Sequence, residues 1–267
     1  VALIETAHIM RALDPVWHTK AETASRLRGR VEAILDWATV HRYRTGDNPA
    51  RWKGHLEALL PARSKVSKAK HFAALPWRDM KLFMAELRKQ NGIGALALQF
   101  TILTAARSGE VRGMEWYEVD FEQRLWTVPG ERMKAGREHR VPLSNAAVEL
   151  LEQLKVVKLA DTETVFPSVR DHKPLSDMTL TAVLRRMQRG DITVHGFRSS
   201  FRDWAAEATD FPQEMAEMAL AHTVGNKVEA AYRRGDMLEK RRAMMAAWAV
   251  HAEPMQLGPN ATPVSHP

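Results

Sequence analysis

The chain has 267 residues, 45% of them apolar and 27% charged, enough for one large or two ordinary globular domains. No apolar run reaches the roughly 18 residues that span a bilayer, and the absence of cysteine removes any disulfide framework or thiolate metal site. The net charge of +7 is unevenly placed: residues 1–71 hold 13 Lys and Arg against 7 Asp and Glu, leaving 26 against 25 for the rest. A compact basic module joined to a balanced one fits a clamp on a polyanion, or a solvated basic face. No signal peptide is visible, so cytoplasmic residence is expected. The first residue is Val1 rather than Met, which leaves room for a preceding segment.

The first module, residues 1–66, reads as all helical. Thr19-Lys-Ala-Glu22 has the capping-box pattern that opens a helix. Behind it Leu27, Val31, Ile34, Leu35 and Ala38 form an apolar stripe, with Lys20, Arg26 and Arg30 on the opposite face. A turn is expected over residues 43–47. Asn48 and Pro49 then predict a second helix carrying Trp52, Leu56, Leu59 and Leu60 and ending at Pro61. Residues 61–71 are polar, basic and aperiodic, and the interdomain linker is placed at 67–71.

A larger module follows over residues 72–252. Helices are predicted over 77–89 and along the apolar stretch 93–106, which Gln99 and Thr101 interrupt. Two short strands, 125–128 and 139–141, flank Pro129-Gly130 and a basic stretch, a loose hairpin signal. Further helices are predicted over 145–157, 177–188, 195–208, 212–221, 226–234 and 237–251. Leu238, Met245, Trp248 and Ala249 share one face of the last of these, which either packs on its own domain or docks on a neighbouring protomer. Residues 253–267 contain three prolines and little apolar mass, and disorder is expected there. The predicted fold class is mainly α: a small all-helical domain and a larger, mostly helical one with a small antiparallel sheet.

Several polar side chains carry possible chemistry. Arg107 ends the apolar helix, and Glu110, three residues on, is placed to orient it. His195 and Arg198 share a helical face at a helix N-terminus, where free N–H groups favour an anion. His222 falls at a helix end, ten residues before Tyr232. Of the three tyrosines, Tyr117 sits among Glu115, Glu118 and Asp120, and Tyr43 lies in the basic module. Tyr232 is flanked by Lys227, Arg233 and Arg234, so charge and position favour it for attack on a phosphate. Cleaving a phosphodiester with a phenol needs fixed donors for the phosphorane oxygens, a base for the phenol and an acid for the leaving oxygen. Two arginines meet the first need with permanently charged planar donors. In the basic hairpin Arg132, Lys134, Arg137 and Arg140 are all candidates for the acid, and composition does not choose among them. With no His-Glu-x-x-His and no carboxylate cluster, no metal site and no cofactor are expected.

Taken in chain order, this set resembles the catalytic half of the tyrosine recombinases, in particular integrases of prophages and genomic islands. Flanking segments strengthen the resemblance: Val165-Phe-Pro-Ser168, the run from His195 to Trp204, and Asn226 to Arg234. Residues 1–66 resemble the family's core-binding domain through Thr19 to Arg26 and Gly46 to Trp52. The resemblance implies that Tyr232 is the nucleophile and forms a 3′-phosphotyrosine. Arg107, Arg198 and His222 would bind the non-bridging oxygens, and His195 would assist proton transfer. Lys134 would be the general acid, because Met133-Lys134 before His139-Arg-Val-Pro-Leu143 looks like the family's lysine hairpin; His139 and Arg140 then read as strand or DNA-backbone residues. Some relatives place tryptophan where His222 stands. The implied partner is double-stranded DNA at attachment sites, with Lys20, Arg26, Arg30, Arg51 and Lys53 on phosphate. A homotetramer tied through the C-terminal helix, accessory directionality or bending proteins, and work at the nucleoid are implied too. Nothing matches the family's arm-binding domain. Two other functions compete: a type IB topoisomerase, which uses similar tyrosine chemistry, and a DNA-binding remnant without recombination.

Overall fold

Two separate apolar cores organise the chain. The computed structural model describes residues 1–66, 73–156, 162–222 and 235–253, and the chain divides into two units, Val1–His71 and Phe72–Pro267. Among the described residues no helix is long and apolar enough to cross a membrane.

The first unit contains α1 (Thr6–Trp17), α2 (Ala21–Val40), a 3-10 turn at Leu56–Ala58 and the short α3 (Arg63–Val66). Helix α1 was not among the predicted helices, although Ile9, Leu13 and Trp17 recur along it at a spacing of four, and Pro15 lies in its last turn. It opens where the Glu5 amide donates to His8 Nδ1, 3.2 Å, and buries Ile9, Leu13 and Trp17 against Ala24, Leu35, Leu56 and Leu60. The capping box expected at Thr19 does not form. Lys20 is the N-cap of α2, its own amide is taken by the Val16 carbonyl, and the Thr19 hydroxyl turns back to the Pro15 carbonyl. The apolar stripe of α2 also differs from expectation. Ala21, Ala24, Leu35 and Ala38 are buried while Leu27 and Ile34 are exposed, because α1 packs against the side carrying the small alanines. The helix predicted after Pro49 is replaced by turns. Asn48 Oδ1 accepts the Ala50 amide, Gly54 takes φ +73°, and a left-handed residue ends helical propagation. Trp52 instead stacks on Trp17 with ring centroids 5.6 Å apart.

The second unit is built around α5 (Ile93–Thr104), whose residues from Gly94 to Thr104 are almost all buried. A helix apolar all round must be covered on every side. Helices α4 (Met80–Arg88), α6 (Ser108–Arg112), α7 (Asn145–Val156), α8 (Thr179–Arg186) and the final α11 (Leu238–Ala252) supply that cover. The hydroxyls of Thr101 and Thr104 donate within the helix to Ala97 and Phe100 carbonyls, both 2.7 Å, so their burial leaves no polar group unpaired. A three-stranded antiparallel sheet has β2 (Leu125–Val128) between β1 (Val119–Asp120) and β3 (His139–Pro142). Its register pairs Val128 with His139 and Trp126 with Val141. Strand β1 and helix α6 are too short to leave a periodic trace.

Helix α9 (Gly196–Ala208) starts beside residues 73 and 74. A Cβ at Gly196 would stand 2.2 Å from the Ala73 carbonyl oxygen, so only glycine permits this approach. Helix α10 (Gln213–Ala219) follows. The apolar face of α11, including Met244, Met245, Trp248, Ala249 and Ala252, is buried in its own unit. The Trp248 indole donates to the Ile102 carbonyl at 2.8 Å. Of the two alternatives for this face, packing on its own domain is the one present, its apolar area being covered by α4, α5 and α7. Glu253, assigned to a disordered tail from sequence, is paired with Arg88. The linker at 67–71, the helix predicted over 226–234 and residues 254–267 lie outside the described residues.

Candidate active site

The turn between α5 and α6 and the turn after α10 form the site. Helix α5 stops because Ala105 adopts a left-handed φ of 51°, which turns the chain so that Arg107 caps α6. Glu110 is buried and binds Arg107 twice: one oxygen accepts the Arg107 amide at 2.9 Å, the other its guanidinium at 2.7 Å. The expected orienting partnership is therefore present. The other end of the Arg107 guanidinium donates to the Ala221 carbonyl, 3.2 Å.

Arg198 reaches the same turn from α9. It is 4% exposed and donates to the Ala105 carbonyl at 2.5 Å and to the Leu220 carbonyl. Its Nη2 also lies 3.1 Å from His222 Nε2. Burial, and then the neighbouring Arg107, pull the Arg198 guanidinium down to about 10, which leaves it charged at neutral pH. The two guanidiniums thus hold adjacent carbonyls, Leu220 and Ala221, and converge on one turn. Each keeps N–H donors beyond those bonds, since an arginine carries five.

His222 is held from behind by Glu217, whose carboxylate lies 2.6 Å from Nδ1. A carboxylate only accepts, so Nδ1 carries the proton and Nε2 faces Arg198. Burial works to raise the Glu217 carboxyl, but the hydrogen bonds from His222 and Arg202 outweigh it and hold it below the usual range. His195, at the N-cap of α9, is exposed. Partial burial, and then Arg198, Arg107 and His222, lower its pKa from 6.5, so the neutral ring is favoured at pH 7. Arg107, His195, Arg198 and His222, four of the residues selected from sequence, form one electropositive cluster.

Lys134 is exposed in the connection between β2 and β3 and makes no hydrogen bond or ion pair among the described residues. Two of its basic neighbours are engaged elsewhere. Arg132 donates to the Glu110 carbonyl at 2.9 Å and pairs with the buried Glu118, and Arg140 pairs with Asp236. Arg137 is exposed like Lys134, so the four candidates of the hairpin reduce to two. Tyr232 lies outside the described residues.

Sequence reasoning missed two supports. Glu217 stands five residues before His222, a spacing with no helical signature. His139 was read as a strand or DNA-backbone residue. It does open strand β3, and its ring, which the sequence did not flag, bonds the Ala219 carbonyl; burial, and then Arg241, lower its pKa to about 4. Three consecutive carbonyls, of Ala219, Leu220 and Ala221, are therefore held by His139, Arg198 and Arg107. Lys20, Arg26, Arg30, Arg51 and Lys53 are all exposed on the first unit. Arg26 is 2.9 Å from Glu22 and Arg51 is 3.6 Å from Asp47. Arg28 and Arg44, by contrast, serve the fold: Arg28 donates to the Ala50 carbonyl at 2.9 Å and Arg44 to the Asp47 carbonyl at 3.1 Å.

This architecture is that of the integrases. A lambda integrase fragment, solved as a dimer bound to a COC′ core site, superposes with a TM-score of 0.59 at 22% identity, over 88% of this chain and 81% of that one. The Tn1549 transposon integrase in complex with circular intermediate DNA gives 0.58 at 13% identity, over 87% and 86%. Identities this low establish the fold alone. Sequence establishes the rest: the chain belongs to the phage integrase family, matching it over residues 75–239 and the phage integrase central domain over residues 1–55. The integrase of Enterobacteria phage P4 is 33% identical over 92% of this chain. The prophage integrase IntA of Escherichia coli K12 is 40% identical over 55% of it. The chain spans 58% of the length of the first relative and 36% of the second.

Proposed function

We propose that the protein is a site-specific DNA recombinase that integrates and excises a mobile element through a covalent 3′-phosphotyrosine. The observation that carries this reading is the convergence of Arg107, Arg198 and His222 on one turn, with spare donors on both guanidiniums. A scissile phosphate held there meets two fixed positive charges, which oppose the negative charge that builds on the phosphorane. The Tyr232 oxygen forms the new bond to phosphorus and passes its proton to His195, whose neutral form is the one that can accept it. The bond to the 5′ oxygen breaks, and that oxygen leaves with a proton from Lys134. Because the phosphodiester energy is kept in the tyrosyl link, the reverse attack by a 5′ hydroxyl needs no nucleotide cofactor. No observation favours the topoisomerase alternative.

The substrate in this reading is double-stranded DNA bearing attachment sites, in a bacterial cytoplasm. Lys20, Arg26, Arg30, Arg51 and Lys53 bind phosphate without reading bases. Four subunits assemble on the DNA, helped by accessory directionality or bending proteins. The apolar face of α11 is buried in its own unit, so it does not supply the contact between them. Nicked suicide duplexes, which trap the covalent intermediate, test the chemistry. The wild-type chain is expected to accumulate a protein–DNA adduct that Tyr232→Phe abolishes while DNA binding is retained. Adducts that persist in that variant refute the assignment of the nucleophile.

A further inference from the structure

Strand β3 joins the site to the chain just beyond the tyrosine. Adjacent strand residues point to opposite faces. His139 accordingly reaches the Ala219 carbonyl, while Arg140 grips Asp236 through two parallel bonds of 3.0 and 2.8 Å. Asp236 is also bound by Arg241 from the first turn of α11, at 2.8 Å. Arg241 is 1% exposed, and its remaining donors go to the Asp236 carbonyl and the Arg140 carbonyl, both 2.7 Å. Asp236 Oδ1 further accepts the Leu238 amide at 3.2 Å, which places it at the start of the helix. Bidentate pairing fixes direction as well as distance. The Arg140–Asp236 pair is half-exposed, and such pairs contribute little to stability. Its position along the chain is therefore the more informative property. Asp236 follows Tyr232 by four residues, a tether of at most about 14 Å when fully extended, and Arg140 follows Lys134 by six.

We propose that Arg140, Asp236 and Arg241 form a positioning clasp that fixes the chain downstream of Tyr232 to strand β3 and so sets where the phenol meets the phosphate. This rests on the recombinase reading. None of the three touches the reacting atoms; they act through the four-residue tether, and β3 gives that tether the same foundation as the turn held by His139, Arg198 and Arg107. Holding the nucleophile in place is worth a large rate factor, since a displacement of about 1 Å costs roughly 100-fold.

The test uses the full chain and nicked suicide duplexes selected from a random-sequence pool by wild-type adduct formation. Arg140→Gln, which leaves the Arg241–Asp236 pair intact, is expected to slow adduct formation roughly 100-fold, with Arg140→Lys recovering part of the loss. DNA affinity and thermal midpoint are expected to stay at wild-type values. Asp236→Asn keeps an acceptor for the Leu238 amide and is expected to show the same slow phase. A second substrate with sulfur as the bridging 5′ atom needs no proton on its leaving group. It is expected to restore Lys134→Ala and to leave Arg140→Gln slow. Wild-type rates in both clasp variants overturn the proposal. So does full rescue of Arg140→Gln by sulfur, which assigns the defect to the general acid, or a rate loss matched by equal loss of binding or stability. A wild-type chain that forms no Tyr232-dependent adduct refutes the recombinase reading itself and the clasp with it, a result distinct from active clasp variants beside an active wild type.

Discussion

His139 offers the most quantitative test of the site's architecture. Its pKa is about 4 in the folded chain against an ordinary 6.5, because burial, and then Arg241, oppose a charge on the ring. Above pH 6.5 the ring is neutral whether the chain is folded or not, and the group makes no difference to stability. Below 6.5 the unfolded chain takes up a proton that the folded chain refuses until about pH 4. Stability therefore falls through that window as pH falls, by about 2 kcal/mol at about pH 5 and about 3 kcal/mol in the acid limit. His139→Gln keeps an N–H donor for the Ala219 carbonyl and cannot titrate. Urea unfolding followed by tryptophan fluorescence, at about pH 7 and about pH 5, gives the drop for each chain. The wild-type drop is expected to exceed that of His139→Gln by about 2 kcal/mol. Equal drops in the two chains refute the claim that a half-buried, neutral imidazole holds the turn.

Other expectations bear on catalysis and binding. Glu110→Gln replaces a buried carboxylate by a neutral amide beside the Arg107 guanidinium, removing a charge-assisted bond of about 2 kcal/mol. Single-turnover cleavage is expected to slow about 30-fold at unchanged DNA affinity, and a wild-type rate removes Glu110 from the orientation of Arg107. Because partial burial, and then its cationic neighbours, lower the pKa of His195, its basic form survives into mild acid. The acid limb of the cleavage rate is therefore expected below pH 6.5, and a midpoint above 6.5 contradicts His195 as the proton acceptor. Replacing Arg26 and Arg30 together with Ala is expected to lower the slope of log affinity against log salt by roughly two. An unchanged slope takes that face of α2 off the DNA.

The helices with strong local periodicity are legible in the sequence alone. Residues 145–157, 195–208 and 237–251 were predicted, against α7 at Asn145–Val156, α9 at Gly196–Ala208 and α11 at Leu238–Ala252. Where local cues competed, they misled. Asn48-Pro49 is a helix-start signal, but the Asx turn and left-handed Gly54 that follow leave only a 3-10 turn. The stripe of α2 admitted two adjacent faces, and the partner helix α1 chose between them.

Arg107, His195, Arg198 and His222 could be selected because their order along the chain resembles that of the tyrosine recombinases, although each motif taken singly is weak. Which basic residues of the hairpin are free could not. Arg132 and Arg140 are neutralised by Glu118 and Asp236, which lie 14 and 96 residues away. The same holds for His139, whose partner carbonyl belongs to Ala219. Helix formation is governed by contacts three or four residues apart, so its pattern is written along the chain. Long-range ion pairs and contacts to buried carbonyls form only when distant segments are packed together, and that closure decided which of many similar side chains serve the turn, which serve the fold and which remain exposed.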